Sequence, residues 1–386
     1  MSNTDKIDIK SPVDKTESKS SSQDATNAST PVTKCSSNQT APSSSAQTAA
    51  RLSGLDLVRT IACLFVVSAH FYLNVGYYNT PLVGTRMFIM TAARWMFVTA
   101  VPLFFMLTGY FKINKEMTKS HYKALIPLVI SYVLVSVAKM ILYNKIYGKI
   151  YTVKDLFINL GNYQIAWYMG LYLCVFLLIP FINKMWKALN TKEQNVLLGT
   201  LVFLVAIYPV FNYIAPSYFI EIYPVLFYFL GAAVRKRRYR PNRFVLAAIT
   251  LLVCILEAAI SMLLTKTGVF DWTVISTADG TYGTLFIGIC TVCIFLLFYD
   301  INIKSRILNK IMASISRVSF EIYLFAGAYD ALIYRELKER VTGGANDFFW
   351  WFFITVPLSF IAAWISSVIF KYIIDLILKK IPWMNK

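Results

Sequence analysis

From Leu55 onward the chain is a near-continuous series of apolar stretches separated by short polar connections, and no other feature constrains its fold so strongly. About ten of the stretches have spanning length: residues 55–77, 90–111, 123–143, 165–183, 195–214, 219–234, 243–265, 282–299, 315–334 and 349–378. A helix needs about 20 apolar residues to cross a hydrocarbon core of roughly 30 Å. The expected fold is therefore all-α, a polytopic integral membrane protein with about ten transmembrane helices. The composition agrees: 57% of the 386 residues are hydrophobic and 15% are charged. Soluble domains carry nearer 25% charged residues, because their surfaces face water.

The formal charge of +18 invites a nucleic-acid partner, but its distribution excludes one. Lys and Arg lie in clusters between the apolar stretches, in the manner of the positive-inside rule. One alternate set of connections holds 21 basic residues, including the run Arg235–Arg243, and the opposite set holds 8. The richer set is read as cytoplasmic, which puts both termini inside and makes the lipid bilayer the partner that the charge serves. Residues 1–50 are rich in Ser, Thr, Lys, Gln and Ala and almost free of large apolar side chains, so a disordered cytoplasmic tail is expected there. They contain no apolar h-region of a signal peptide. Residues 51–386 form the membrane domain. Cys63, Cys174, Cys254, Cys290 and Cys293 fall in apolar helices and read as small buried hydrophobes; no metal is expected.

Ionisable groups at membrane depth are costly and are functional candidates by default. The first helix carries Asp56, Arg59 and His70. Asp56 and Arg59 are three residues apart, so they share a face and can pair. Arg59 and His70 are eleven apart, which at about 100° per residue returns to within about 20° of the same direction. The two side chains project from one stripe, separated along the axis by about 16.5 Å at 1.5 Å per residue. An intramembrane His reads either as a helix–helix hydrogen-bonding group or as a functional one. Elsewhere, Thr108 lies in Phe104–Tyr110, Trp167 opens the fourth segment, and Glu257 sits in the middle of the seventh. Ser316, Ser319 and Tyr323 share a face of the ninth, with Glu321 and Asp330 nearby. His121, in a connection, carries no assigned role.

Several of these stretches resemble the signatures of acyltransferase family 3, membrane O-acyltransferases that decorate bacterial envelope glycans. Leu55-Asp56-Leu57-Val58-Arg59 with His70 looks like the family's opening helix, a basic residue and a His with ten residues between. Phe104–Tyr110 resembles F-F-x-x-S-G-[YF], with Thr108 in the Ser position. Lys119 and Lys123 before Leu125-Ile126-Pro127 are similar to its basic approach to the third helix. Trp167-Tyr168 resembles its W-[YF] helix, and Ser319–Leu324 resembles S-F-G-I-Y-L, with Glu321 in place of Gly and Ala326 where a His commonly follows.

The resemblance, over roughly residues 51–378, implies an acyl-CoA-dependent O-acyltransferase of the bacterial cytoplasmic membrane. It would transfer an acyl group, acetyl in the simplest case, to a cell-envelope or exported polysaccharide. It implies His70 as catalytic base and Arg59 and Lys123 as donor-binding residues. Asp56, Thr108, Trp167, Glu257, Ser319 and Tyr323 are expected to support them. The donor, acetyl-CoA or another acyl-CoA, is a substrate, and no bound cofactor is expected. Neutral imidazole suits removal of a hydroxyl proton near pH 7. The rival reading from the same polar residues is an exporter of a glycan or small molecule without acyl-transfer chemistry.

Overall fold

The computed structural model describes residues 44–148, 152–161, 166–207, 217–265, 268–270 and 282–380. Of the expected tail, residues 1–43 lie outside the described residues, and the first helix begins at Ser44. The helices are α1 (Ser44–Asn74), α2 (Thr85–Phe97), α3 (Ala100–Lys112), α4 (Lys119–Lys123), α5 (Leu125–Tyr147), α6 (Val153–Gly161) and α7 (Trp167–Ala188). They continue with α8 (Thr191–Val202), α9 (Tyr223–Arg237), α10 (Arg243–Leu264), α11 (Leu285–Phe298), α12 (Arg306–Arg317), α13 (Ser319–Arg340) and α14 (Phe352–Lys379). Among the described residues extended pairing is limited to an isolated bridge between Pro81 and Val269.

Six helical segments in the described residues are long and apolar enough to cross a membrane, or seven if α12 and α13, bent by 77°, count as one span. The sequence reading expects about ten. The difference lies in α9, with 15 residues, α11, with 14, and α8, which passes into a π-turn at Phe203–Ile207. Phe227, Tyr228 and Phe229 in α9 are all fully buried. Successive helical residues point about 100° apart, so α9 is enclosed on every side. An apolar run that faces protein all round carries the same composition as one that faces lipid. Apolarity in the sequence therefore does not separate the two.

Helix α1 is the hub. It packs against α2, α3, α11, α12, α13 and α14, and Val58, Ala62 and Val67 are fully buried along it. Helices α3 and α9 are packed backbone to backbone. A Cβ added at Gly109 would overlap the Tyr228 carbonyl, and one at Gly231 would overlap the Met106 carbonyl. In lipid, hydrophobic burial does not draw helices together, so close approach at small residues supplies the packing. Asn183 of α7 adds a polar clamp: it donates to the carbonyls of Lys112 and Lys115, both at 2.7 Å, and accepts from Tyr228 Oη at 2.6 Å.

Helix α12 is strongly amphipathic. Met312, Ile315 and Ser316 turn inward, while Ile307 and Leu308 are exposed. The chain bends at Val318 and restarts as α13, the partner that positions the site on α1.

Candidate active site

Helices α1 and α13 run parallel, and their contacts keep nearly constant register. Arg59 Nη1 donates to Ser316 Oγ at 2.5 Å, just before the bend. Cys63 Sγ lies 3.9 Å from the Ser319 carbonyl, and His70 Nδ1 lies 2.7 Å from Asp330 Oδ2. The eleven-residue stripe from Arg59 to His70 is matched by an equal interval from Ser319 to Asp330 on the facing helix. Each interval is slightly over three turns, so Ser319 and Asp330 share one face of α13, and that face meets α1 at Cys63 and His70.

The His70 side chain is 25% exposed and that of Asp330 5%, so the carboxylate is the buried member of the pair. Its other oxygen, Oδ1, accepts from Ser359 Oγ of α14 at 2.9 Å. Lys139, buried on α5, interacts electrostatically with Asp330 and adds a positive charge beside it. The His70 backbone carbonyl accepts from Asn74 Nδ2 at 2.8 Å. The carboxylate that meets the imidazole is thus itself flanked by groups from α5 and α14.

A cavity of about 330 Å³ connects the two ends of the α1 stripe. Six of the residues expected at the site line it: Arg59, His70, Thr108, Trp167, Ser319 and Tyr323. One wall is aromatic: Trp167 stacks on Tyr282 at 5.5 Å, and Tyr168 meets Tyr323 edge-on at 5.5 Å. Tyr323 Oη accepts from the Tyr168 backbone N–H at 3.2 Å. The Thr108 hydroxyl is spent on its own helix, donating to the Phe104 carbonyl at 2.7 Å.

Three expected residues are placed elsewhere. Asp56 stands one turn before Arg59, within Coulombic reach of it but off the cavity wall. Lys123 belongs to the short helix α4, outside the wall. Glu257 is buried on α10, where it faces Arg94 of α2 electrostatically and neither carboxylate oxygen has a hydrogen-bond partner among the described residues. Arg94 itself is sandwiched among Phe270, Trp95 and Tyr78, the nearest ring centroid being 4.2 Å away.

The structure adds Asp330 to the site. Its signal in the sequence was its spacing, seven residues after Tyr323 and eleven after Ser319 on the same face. His121, given no role, is buried and stacked flat on Phe176 with centroids 4.3 Å apart. Cys63, Cys254, Cys290 and Cys293 are buried and Cys174 is exposed. Among the described residues no three His, Cys, Asp or Glu side chains converge as a metal site would require.

Apolar spanning helices, arranged around a histidine–carboxylate pair at one end of a cavity, define a multi-pass membrane protein with an internal polar site. The profile of acyltransferase family 3, described as an acyltransferase domain, matches residues 52–368, and the chain belongs to that family. It is a membrane acyltransferase. No curated protein and no solved structure matches it.

Proposed function

We propose that this acyltransferase moves an acyl group, acetyl in the simplest case, from cytoplasmic acyl-CoA to a hydroxyl of a cell-envelope or exported polysaccharide. It does so in the bacterial cytoplasmic membrane, with His70 as general base. The observation that carries the reading is the 2.7 Å contact between His70 and Asp330 at the end of a cavity that also reaches Arg59.

An ionised carboxylate only accepts hydrogen bonds, so Asp330 fixes the proton on Nδ1 and leaves the Nε2 lone pair as the base. Nε2 takes the proton of the acceptor hydroxyl as its oxygen attacks the thioester carbonyl. The tetrahedral adduct collapses with cleavage of the C–S bond, and the thiolate leaves with the proton that the imidazole carried. The result is an ester and a free thiol, with His70 returned to its starting form. Asp330 stabilises the transient imidazolium, and Ser359 holds the carboxylate in place. Arg59 lies about 16.5 Å along the axis from His70, a distance that suits an extended pantetheine arm. A guanidinium there can bind phosphate oxygens in bidentate fashion.

The test is alkali-labile acetate on extracted polysaccharide from cells supplied with labelled acetyl precursor. Wild-type protein should give ester and His70→Ala should give none. A His70→Ala protein that inserts normally and still esterifies the polysaccharide refutes the mechanism.

A further inference from the structure

The cavity is electrically lopsided. At its Arg59 end the wall also carries Arg317, the last residue of α12, and Lys371 of α14, with Glu321 as the one carboxylate among the described lining residues. At the His70 end the wall is Leu73, Phe97, Val98 and Val101, with no cation among the described lining residues. Glu321 is already committed: its Oε1 accepts from Ser131 Oγ at 3.0 Å and lies 3.9 Å from Lys371 Nζ. Lys371 also pairs with Asp375 of its own helix at 3.4 Å, and Asp56 stands within Coulombic reach of Arg59, which leaves Arg317 as the wall cation with no ion-pair partner among the described residues. Uncompensated charge next to low-dielectric surroundings is costly, so such a mouth favours an anion.

We propose that Arg317 and Lys371 form an anion mouth that holds the phosphates of the acyl donor. This deepens, and rests on, the acyl-CoA reading above. Coenzyme A carries three phosphate groups, too many for Arg59 alone. Arg59 is also engaged, donating to Ser316 and lying 5.1 Å over the Phe111 ring. Arg317 directly follows Ser316 and is exposed where α12 ends, so it meets a ligand before Arg59 does. Its planar fork matches a phosphate, and the Lys371 ammonium, set between Glu321 and Asp375, serves as a point charge beside it. The gradient from cationic mouth to neutral base orients the donor with its phosphates at one end and its thioester at the other. Positive-inside anchoring accounts for basic residues in the connections, but it does not require that two of them line the same cavity as the base.

The experiment uses the full-length protein in phosphatidylcholine nanodiscs, with coenzyme A as the titrated probe. Arg317→Gln and Lys371→Gln should each weaken binding on the order of tenfold, the loss of one charge-assisted contact. Arg317→Lys and Lys371→Arg should retain most of the affinity, which separates lost charge from lost fold. Lys310→Gln, an exposed charge on α12 that is off the wall, should bind like wild type. Added salt should weaken wild-type binding more than that of the double Gln variant. If the two Gln variants bind coenzyme A as tightly as Lys310→Gln, the mouth is refuted while the acyl-CoA reading stands. If wild type forms ester yet does not bind coenzyme A, the donor reading falls, and the mouth with it.

Discussion

Replacing Asp330 by Asn exchanges one oxygen of the buried carboxylate for an NH2, and the two oxygens have different partners. Oδ2 accepts from His70 Nδ1 at 2.7 Å, and Oδ1 accepts from Ser359 Oγ at 2.9 Å. A hydroxyl can accept as well as donate, so the amide can turn its NH2 to Ser359 and keep its oxygen on Nδ1. The base nitrogen then survives, and what is lost is the negative charge beside the imidazolium. Charge-assisted hydrogen bonds are worth about 1.5–3 kcal/mol and neutral ones about 1 kcal/mol. The 25% exposure of His70 argues for the lower half of the difference, so about 0.5–1 kcal/mol, or roughly two- to fivefold in rate, is expected. Asp330→Ala removes orientation and charge together and should cost about 100-fold, within the 10²–10⁴ that general-base catalysis supplies. Asp330 acts through His70, so His70→Ala/Asp330→Ala should be no slower than His70→Ala alone. The assay is the initial rate of ester formation in membranes, normalised to inserted protein. Asp330→Ala within twofold of wild type, or losses that multiply in the double variant, would refute the pair as a unit.

Two stability predictions follow from packing outside the pair. Gly109→Ala and Gly231→Ala each press a methyl group against a facing backbone carbonyl that cannot move aside, and should cost about 1–3 kcal/mol, read as a fall in Tm in detergent. At Gly327 the nearest atom to an added Cβ is the flexible Lys139 Nζ at 3.0 Å, so Gly327→Ala should be milder; the reverse order would contradict the close-packed α3–α9 seam. Glu257→Gln removes the buried carboxylate that faces Arg94 electrostatically and should destabilise by about 1 kcal/mol, with the rate per folded molecule unchanged. An unchanged Tm with a tenfold loss of rate would instead assign Glu257 to the chemistry.

The stripe on α1 was legible because helical geometry alone aligns residues eleven apart, and Arg59 and His70 do line one cavity. Asp330 was not singled out because α13 carries two acidic residues in its apolar part, and periodicity does not say which faces α1. The packing decides it: Glu321 turns to Ser131 and Lys371, while Asp330 turns to His70. Glu257 had the same sequence signal as His70, an ionisable group in an apolar helix. Its partner Arg94 lies on α2, and only the tertiary arrangement removes the two from the cavity wall. The number of spans was read from apolarity; the described residues carry six or seven segments long enough to cross a membrane, and apolarity alone does not tell an enclosed helix such as α9 from a lipid-facing one.

The contact between His70 and Asp330 bridges 260 positions of sequence, and Ser359, which steadies it, comes later still. A ribosome delivers α1 first and α13 and α14 near the end. During synthesis the imidazole therefore waits in the bilayer without its carboxylate, and Arg59 waits without Ser316. Both arrive on one stretch of chain, in parallel register, so they arrive together. The pair is consequently assembled in the last stage of biogenesis, and a nascent or C-terminally truncated chain holds the imidazole without the carboxylate that faces it.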